Sequence, residues 1–142
     1  MKILRGILGG VCFGIIGEIF GWVIYGVLFM KWTAEAHQVW RPMDSLHMRI
    51  GMPLADIFSG LMVALAYAVL YKGIPGAGIQ KGLIFGLILW LVARFAGEIF
   101  FYVMSPIPFM LVIAGWLHGL IQGSLGGIAI VAIYGKSLED NF

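Results

Sequence analysis

The chain has 142 residues, a formal net charge of +2, 61% apolar residues and only 11% charged ones. A soluble domain averages about 45–50% apolar and about 25% charged residues, so a water-facing globule is excluded and most of the surface is expected to face lipid. The five lysines and four arginines form no cluster, which leaves no basic footprint for nucleic acid, and Cys12 alone cannot form an intramolecular disulfide.

Four apolar runs are predicted to be transmembrane helices, at about 3–30, 53–71, 82–104 and 107–134. About 20 residues are needed to cross roughly 30 Å of hydrocarbon at a rise of about 1.5 Å per residue. The runs are continuously apolar and do not alternate, so helices are expected and not a barrel. The start Met1-Lys2-Ile3-Leu4-Arg5 is positive like a signal peptide, but the apolar stretch after it is too long for one and reads as a retained first span. The loop 31–52 follows, with Trp32, His37, Trp40 and His47, and is expected at the membrane interface. Gly and Pro punctuate the later turns, at Gly73 to Gly78 and at Ser105-Pro106-Ile107-Pro108. The tail from Ser137 to Phe142 is too short for a domain.

Lys2, Arg5, Lys72, Lys81 and Lys136 fall on one side, and Lys31, Arg41 and Arg49 on the other. That bias places both termini in the cytoplasm.

One phrase occurs twice. Gly17-Glu18-Ile19-Phe20 and Gly97-Glu98-Ile99-Phe100 are identical and 80 positions apart, and at the same offset Gly6 falls on Gly86. At an offset of 63, Gly60 falls on Gly123 and Tyr71 on Tyr134. The expected fold is therefore an all-α membrane protein, a single domain of four transmembrane helices arranged as two parallel-repeat hairpins.

The charged residues inside the spans carry the functional question. Arg94 and Glu98 are four apart, share a helix face and are expected to pair. At helical rise, Arg94 and His118 lie about 15 Å inside the ends of their spans and Glu98 about 9 Å. Glu18, Arg94, Glu98, His118, Gln122, Asp56 and Ser59 are expected to form one buried polar cluster, because an unpaired charge at mid-bilayer costs about 2.5–3.5 kcal/mol. Such a cluster is either a proton or cation site, with Glu18 and Glu98 as the binding carboxylates, or a network that sets helix register. His118 is the one histidine inside a span, and His37 and His47 do not match zinc-ligand spacing, so no metal and no cofactor is expected.

Gly10, Gly14, Gly17 and Gly21 on the first span, and Gly115, Gly119, Gly123 and Gly127 on the last, have the small-xxx-small spacing that lets helix backbones approach. No hydrolase, kinase or dinucleotide fingerprint is present, so no enzyme is expected. The leading expectation is an accessory or self-assembling subunit, a homo-oligomer or part of a larger membrane complex, with lipid as its other partner. The alternative is a proton- or cation-coupled transporter or channel.

In Trp40-Arg41-Pro42-Met43, Gly82 to Gly86, Pro106-Ile107-Pro108 and the glycine-rich last span ending Ile133-Tyr134, the chain resembles a group of small four-helix bacterial integral membrane proteins whose activity is not established. The resemblance implies the bacterial cytoplasmic membrane. Small multidrug exporters are also similar, with four short spans and a glutamate in the first. The Arg94–Glu98 pair, the long first loop and the second glutamate depart from them, so their activity is not carried over.

Overall fold

Helices take up nearly the whole chain. The computed structural model describes residues 2–135 and has no strand among them, whereas Lys136 and the tail from Ser137 lie outside the described residues. Four helices are long and apolar enough to cross a membrane: α1 (Lys2–Leu28), α3 (His47–Leu70), α4 (Gly78–Met104) and α5 (Phe109–Gly135). A short helix, α2 (Met30–Glu35), follows α1. All four long helices expose large apolar side chains, among them Leu4, Trp22, Phe58, Val92, Phe100 and Phe109. Apolar exposure around every helix is what a multi-pass membrane protein requires.

Local chemistry sets the ends. The turn before α4 uses Gly76 and Gly78 at φ +88° and +52°, where a side chain would be strained. Ser105 ends α4 in extended backbone, as the residue before a proline prefers, and Pro108 sets the first turn of α5. The second long helix starts at His47, upstream of the expected Pro53. A π-helical turn, His47–Gly51, precedes the proline, and its wider winding accommodates a residue without an N–H. Similar π turns occupy Ile24–Leu28, Trp90–Phe95 and Val131–Gly135.

Glycine decides which helices touch. A Cβ on Gly10 would come within 2.8 Å of the Gly60 carbonyl oxygen, and one on Gly14 within 2.7 Å of the Ile57 Cα, so α1 and α3 meet backbone to backbone. Gly82 and Gly86 meet Gly127 and Gly123 in the same way, which joins α4 to α5. Between the hairpins, α1 packs on α5, with the Phe13 ring seated over Gly126. Across the bundle the order is therefore α3, α1, α5, α4. The outer pair, α3 and α4, have no extended packing on each other.

They do meet at the end that holds Lys2 and Gly135, here the terminal end. There the Tyr67 ring lies 5.1 Å from Phe85, in a core with Phe13, Ala64, Ile130 and Val131. Lys81 is buried beside it, with its ammonium 5.3 Å from the centre of the Tyr71 ring. At the opposite, loop end, Ala36, Ile107, Leu111 and Val112 form a second core, roofed by Tyr25, Trp40 and Trp116.

Candidate functional site

Because α3 and α4 join only at the terminal end, a cleft of about 980 Å³ opens between them. Its floor is the α1–α5 contact. Each wall is a single helix face. Met52, Asp56, Ser59 and Val63 follow one another at three- and four-residue steps on α3, as do Trp90, Arg94, Gly97 and Phe101 on α4. Glu18, Trp22 and Tyr25 come from α1, and His118 and Gln122 from α5. Trp40 and Arg41 reach over the loop end.

Arg94 is the hub. Its Nη2 donates to His118 Nδ1 at 3.1 Å, and His118 Nε2 lies 2.9 Å from the Gly17 carbonyl oxygen. A guanidinium only donates and a carbonyl only accepts. The imidazole is therefore neutral with its proton on Nε2, donating to Gly17. One histidine thus ties α4 through α5 to α1. Arg94 Nη2 also lies 3.6 Å from Glu98 Oε1, the expected i,i+4 ion pair, while its Nε is buried without a hydrogen-bond partner. The Arg94 stem lies over Gly119, and the Glu98 carboxylate over Gly115. Two glycines four apart thus make room for two charged side chains four apart. Tryptophans reinforce the hairpin: Trp90 Nε1 donates to the Trp116 carbonyl at 2.9 Å and Trp116 Nε1 to that of Phe95 at 3.1 Å.

Glu18 stands apart from this network. It lines the cleft together with Asp56 of α3, which lies against α1 where Gly14 meets the Asp56 carbonyl. Both are half-buried, and neither has an ion-pair partner among the described residues. Among the described residues Arg94 pairs with Glu98 and not with Glu18.

All seven residues expected in the polar cluster line the cleft. Only His118 and Gln122 are buried, with 6% and 9% of their surface exposed. Ser59 is exposed, because nothing packs across the gap beside it, and the Arg94 side chain is 41% exposed. Among the eight packing glycines, Gly10, Gly14, Gly123 and Gly127 admit a neighbouring backbone as expected. The other four are corrected: Gly17, Gly21, Gly115 and Gly119 admit the side chains of Gln122, His118, Glu98 and Arg94. The doubled phrase is also not equivalently placed, since Gly17 is buried on Gln122 and nothing lies within 4 Å of a Cβ at Gly97.

The aromatic lining, Trp22, Tyr25, Trp40 and Trp90, lies outside the set expected from sequence. Its signal is present on α1, where Trp22 and Tyr25 stand four and seven residues beyond Glu18 on one helix face. No group of three or more His, Cys, Asp or Glu side chains gathers as a metal site among the described residues. Comparison of the chain with family models, with curated proteins and with solved structures finds no match.

Proposed function

We propose that the chain is a multi-pass protein of the bacterial cytoplasmic membrane, not an enzyme, that binds a proton or cation at Glu18 and Asp56 and couples it to movement of a small solute through the cleft. The observation that carries this reading is that Glu18 and Asp56, on the packed helices α1 and α3, both stand half-buried in one large cleft and form no ion pair among the described residues. Two half-buried carboxyls in one cleft, in a body with apolar outer faces, are costly to keep ionised, and a shared proton or bound cation offsets that cost. Arg94 and His118 then hold the opposite wall in place and keep Glu98 neutralised.

Lys2, Arg5, Lys72 and Lys81 at the terminal end support a cytoplasmic placement of that end. The Tyr67–Phe85 contact would then close the cleft on the cytoplasmic side, with the mouth outside. The shared crossings Gly10–Gly60 and Gly86–Gly123 support a parallel repeat of two hairpins, one helical turn out of register with the doubled phrase.

The second reading is an accessory or self-assembling subunit. The glycine faces that suggest it are largely occupied within the chain. Its remaining support is the gap between α3 and α4, which a helix of another copy or subunit would fit.

The transport reading is tested in proteoliposomes holding a pH gradient and an internal pH-sensitive dye. Sodium or potassium added outside is expected to discharge the gradient through the wild type and not through the Glu18→Gln/Asp56→Asn double variant. Equal discharge by both, or none by either, overturns it.

A further inference from the structure

A second hollow, of about 380 Å³, opens at the loop end beside the cleft mouth. Small-molecule sites span roughly 300–1,000 Å³, so it has room for one compact ligand. All four residues of the Trp40-Arg41-Pro42-Met43 phrase line it. Gly26, Met30, Thr33 and His37 belong to this hollow and not to the cleft, whereas Trp22, Tyr25, Trp40 and Arg41 border both.

Its walls are held in place. The Thr33 hydroxyl donates to the Tyr25 carbonyl at 3.0 Å, which ties α2 to the π turn at Ile24–Leu28. The loop then winds back over that turn. Trp40 N–H donates to the Ala36 carbonyl at 2.9 Å, and the Trp40 ring meets Tyr25 edge to face at 5.6 Å. Ala36 is itself part of the core with Leu111 and Val112. The hollow is therefore a formed pocket and not slack between loop segments.

Its charge has one sign. Arg41 and His37 are the basic residues that line it, and no carboxylate does. Arg41 forms no ion pair among the described residues, with Glu35 and Asp44 of the same segment included. His37 Nδ1 donates to the Ala34 carbonyl at 3.1 Å, which steadies the imidazole. Aromatic rings from Trp22, Tyr25 and Trp40 and thioethers from Met30 and Met43 surround this basic pair. Such a lining suits a flat apolar body that carries one negative charge. A cation would meet Arg41 with no carboxylate to offset it.

We propose that this hollow binds an aromatic carboxylate, with its ring against Trp22 and Trp40 and its carboxylate on the Arg41 guanidinium. A guanidinium offers a carboxylate paired N–H donors in one plane, which an ammonium does not. The proposal concerns the loop end alone and stands whether or not Glu18 and Asp56 bind a proton or cation.

The test is equilibrium binding of radiolabelled indole-3-acetate to the full chain in phosphatidylcholine nanodiscs, scored against empty discs. Tryptamine and 3-methylindole carry the same ring with a positive charge and with none. Saturable indole-3-acetate binding is expected, with both comparison probes weaker by about tenfold or more, the scale of a charge-assisted contact. Arg41→Gln is expected to weaken indole-3-acetate by a similar factor and to leave 3-methylindole unchanged, which a general loosening of the loop would not do. Gly26→Leu, which fills the hollow from α1, is expected to abolish binding. Gly26→Ala is expected to retain it, because its Cβ would meet nothing closer than the Trp22 ring at 3.8 Å. No saturable binding, or either comparison probe as tight as indole-3-acetate, overturns the proposal. Undiminished binding by Arg41→Gln removes its anchor and overturns it too. Undiminished binding by a folded Gly26→Leu would place the ligand elsewhere, with the same consequence. Displacement of indole-3-acetate by phosphatidylglycerol added to the discs would assign Arg41 to a lipid head group and overturn it as well.

Discussion

Two glycines on α4 are expected to respond oppositely to the same methyl group. Alanine at Gly86 would push its Cβ into the Gly123 carbonyl on α5, backbone against backbone, with no side chain free to move aside. Alanine at Gly97 would meet nothing within 4 Å. Both substitutions gain the same helix propensity, about 0.8–1.0 kcal/mol in water. That contribution cancels between them and leaves the steric one. Overpacking a close contact costs about 1–3 kcal/mol, and a backbone obstacle belongs at the upper end. Gly86→Ala is therefore expected to be less stable than Gly97→Ala by about 2–3 kcal/mol, a factor of roughly thirty or more in the folding equilibrium. Reversible unfolding in mild detergent with rising dodecyl sulfate, followed by helical circular dichroism, measures the difference. Equal stabilities, or Gly97→Ala as the weaker variant, would refute the assignment of the α4–α5 contact to Gly86 and Gly123.

Other expectations follow from the network around Arg94. Arg94→Gln leaves Glu98, whose side chain is 14% exposed, without its cation and is expected to destabilise by about 1–3 kcal/mol. Adding Glu98→Gln should recover at least half of that loss in a double-mutant cycle, and simple additivity would show that the pair is not coupled. Nitrogen NMR of labelled His118 is expected to show the neutral ring with its proton on Nε2, and a proton on Nδ1 would break the Arg94–His118–Gly17 connection. Phe13→Ala removes a ring that is 5% exposed and fills the notch over Gly126, with an expected loss of about 3–5 kcal/mol in the same unfolding assay.

The helices are legible in the sequence because length and apolarity alone define them, and Gly73 to Gly78 and Pro106 to Pro108 mark two of the three turns. The start of α3 is not, since Pro53 looks like the first residue of a helix unless the π turn ahead of it is known. The Arg94–Glu98 pair is legible because i,i+4 spacing is local. The placement of Glu18 and Asp56 in one cleft is not, because it depends on the crossing of α1 and α3, which Gly10, Gly14 and Gly60 set. Spacing also cannot tell a glycine that admits a backbone, such as Gly123, from one that admits a side chain, such as Gly119. The doubled phrase misleads on equivalence for the same reason. What surrounds Gly17 and Gly97 is decided by neighbouring helices, and α5 covers only the first.

The claim that the cleft between α3 and α4 is the working site is tested most directly by plugging it while leaving its charges in place. In pH-gradient proteoliposomes, Gly97→Trp is expected to discharge the gradient no faster than empty vesicles, while Gly97→Ala, correctly folded, matches the wild type. Wild-type discharge through a folded Gly97→Trp would contradict the account.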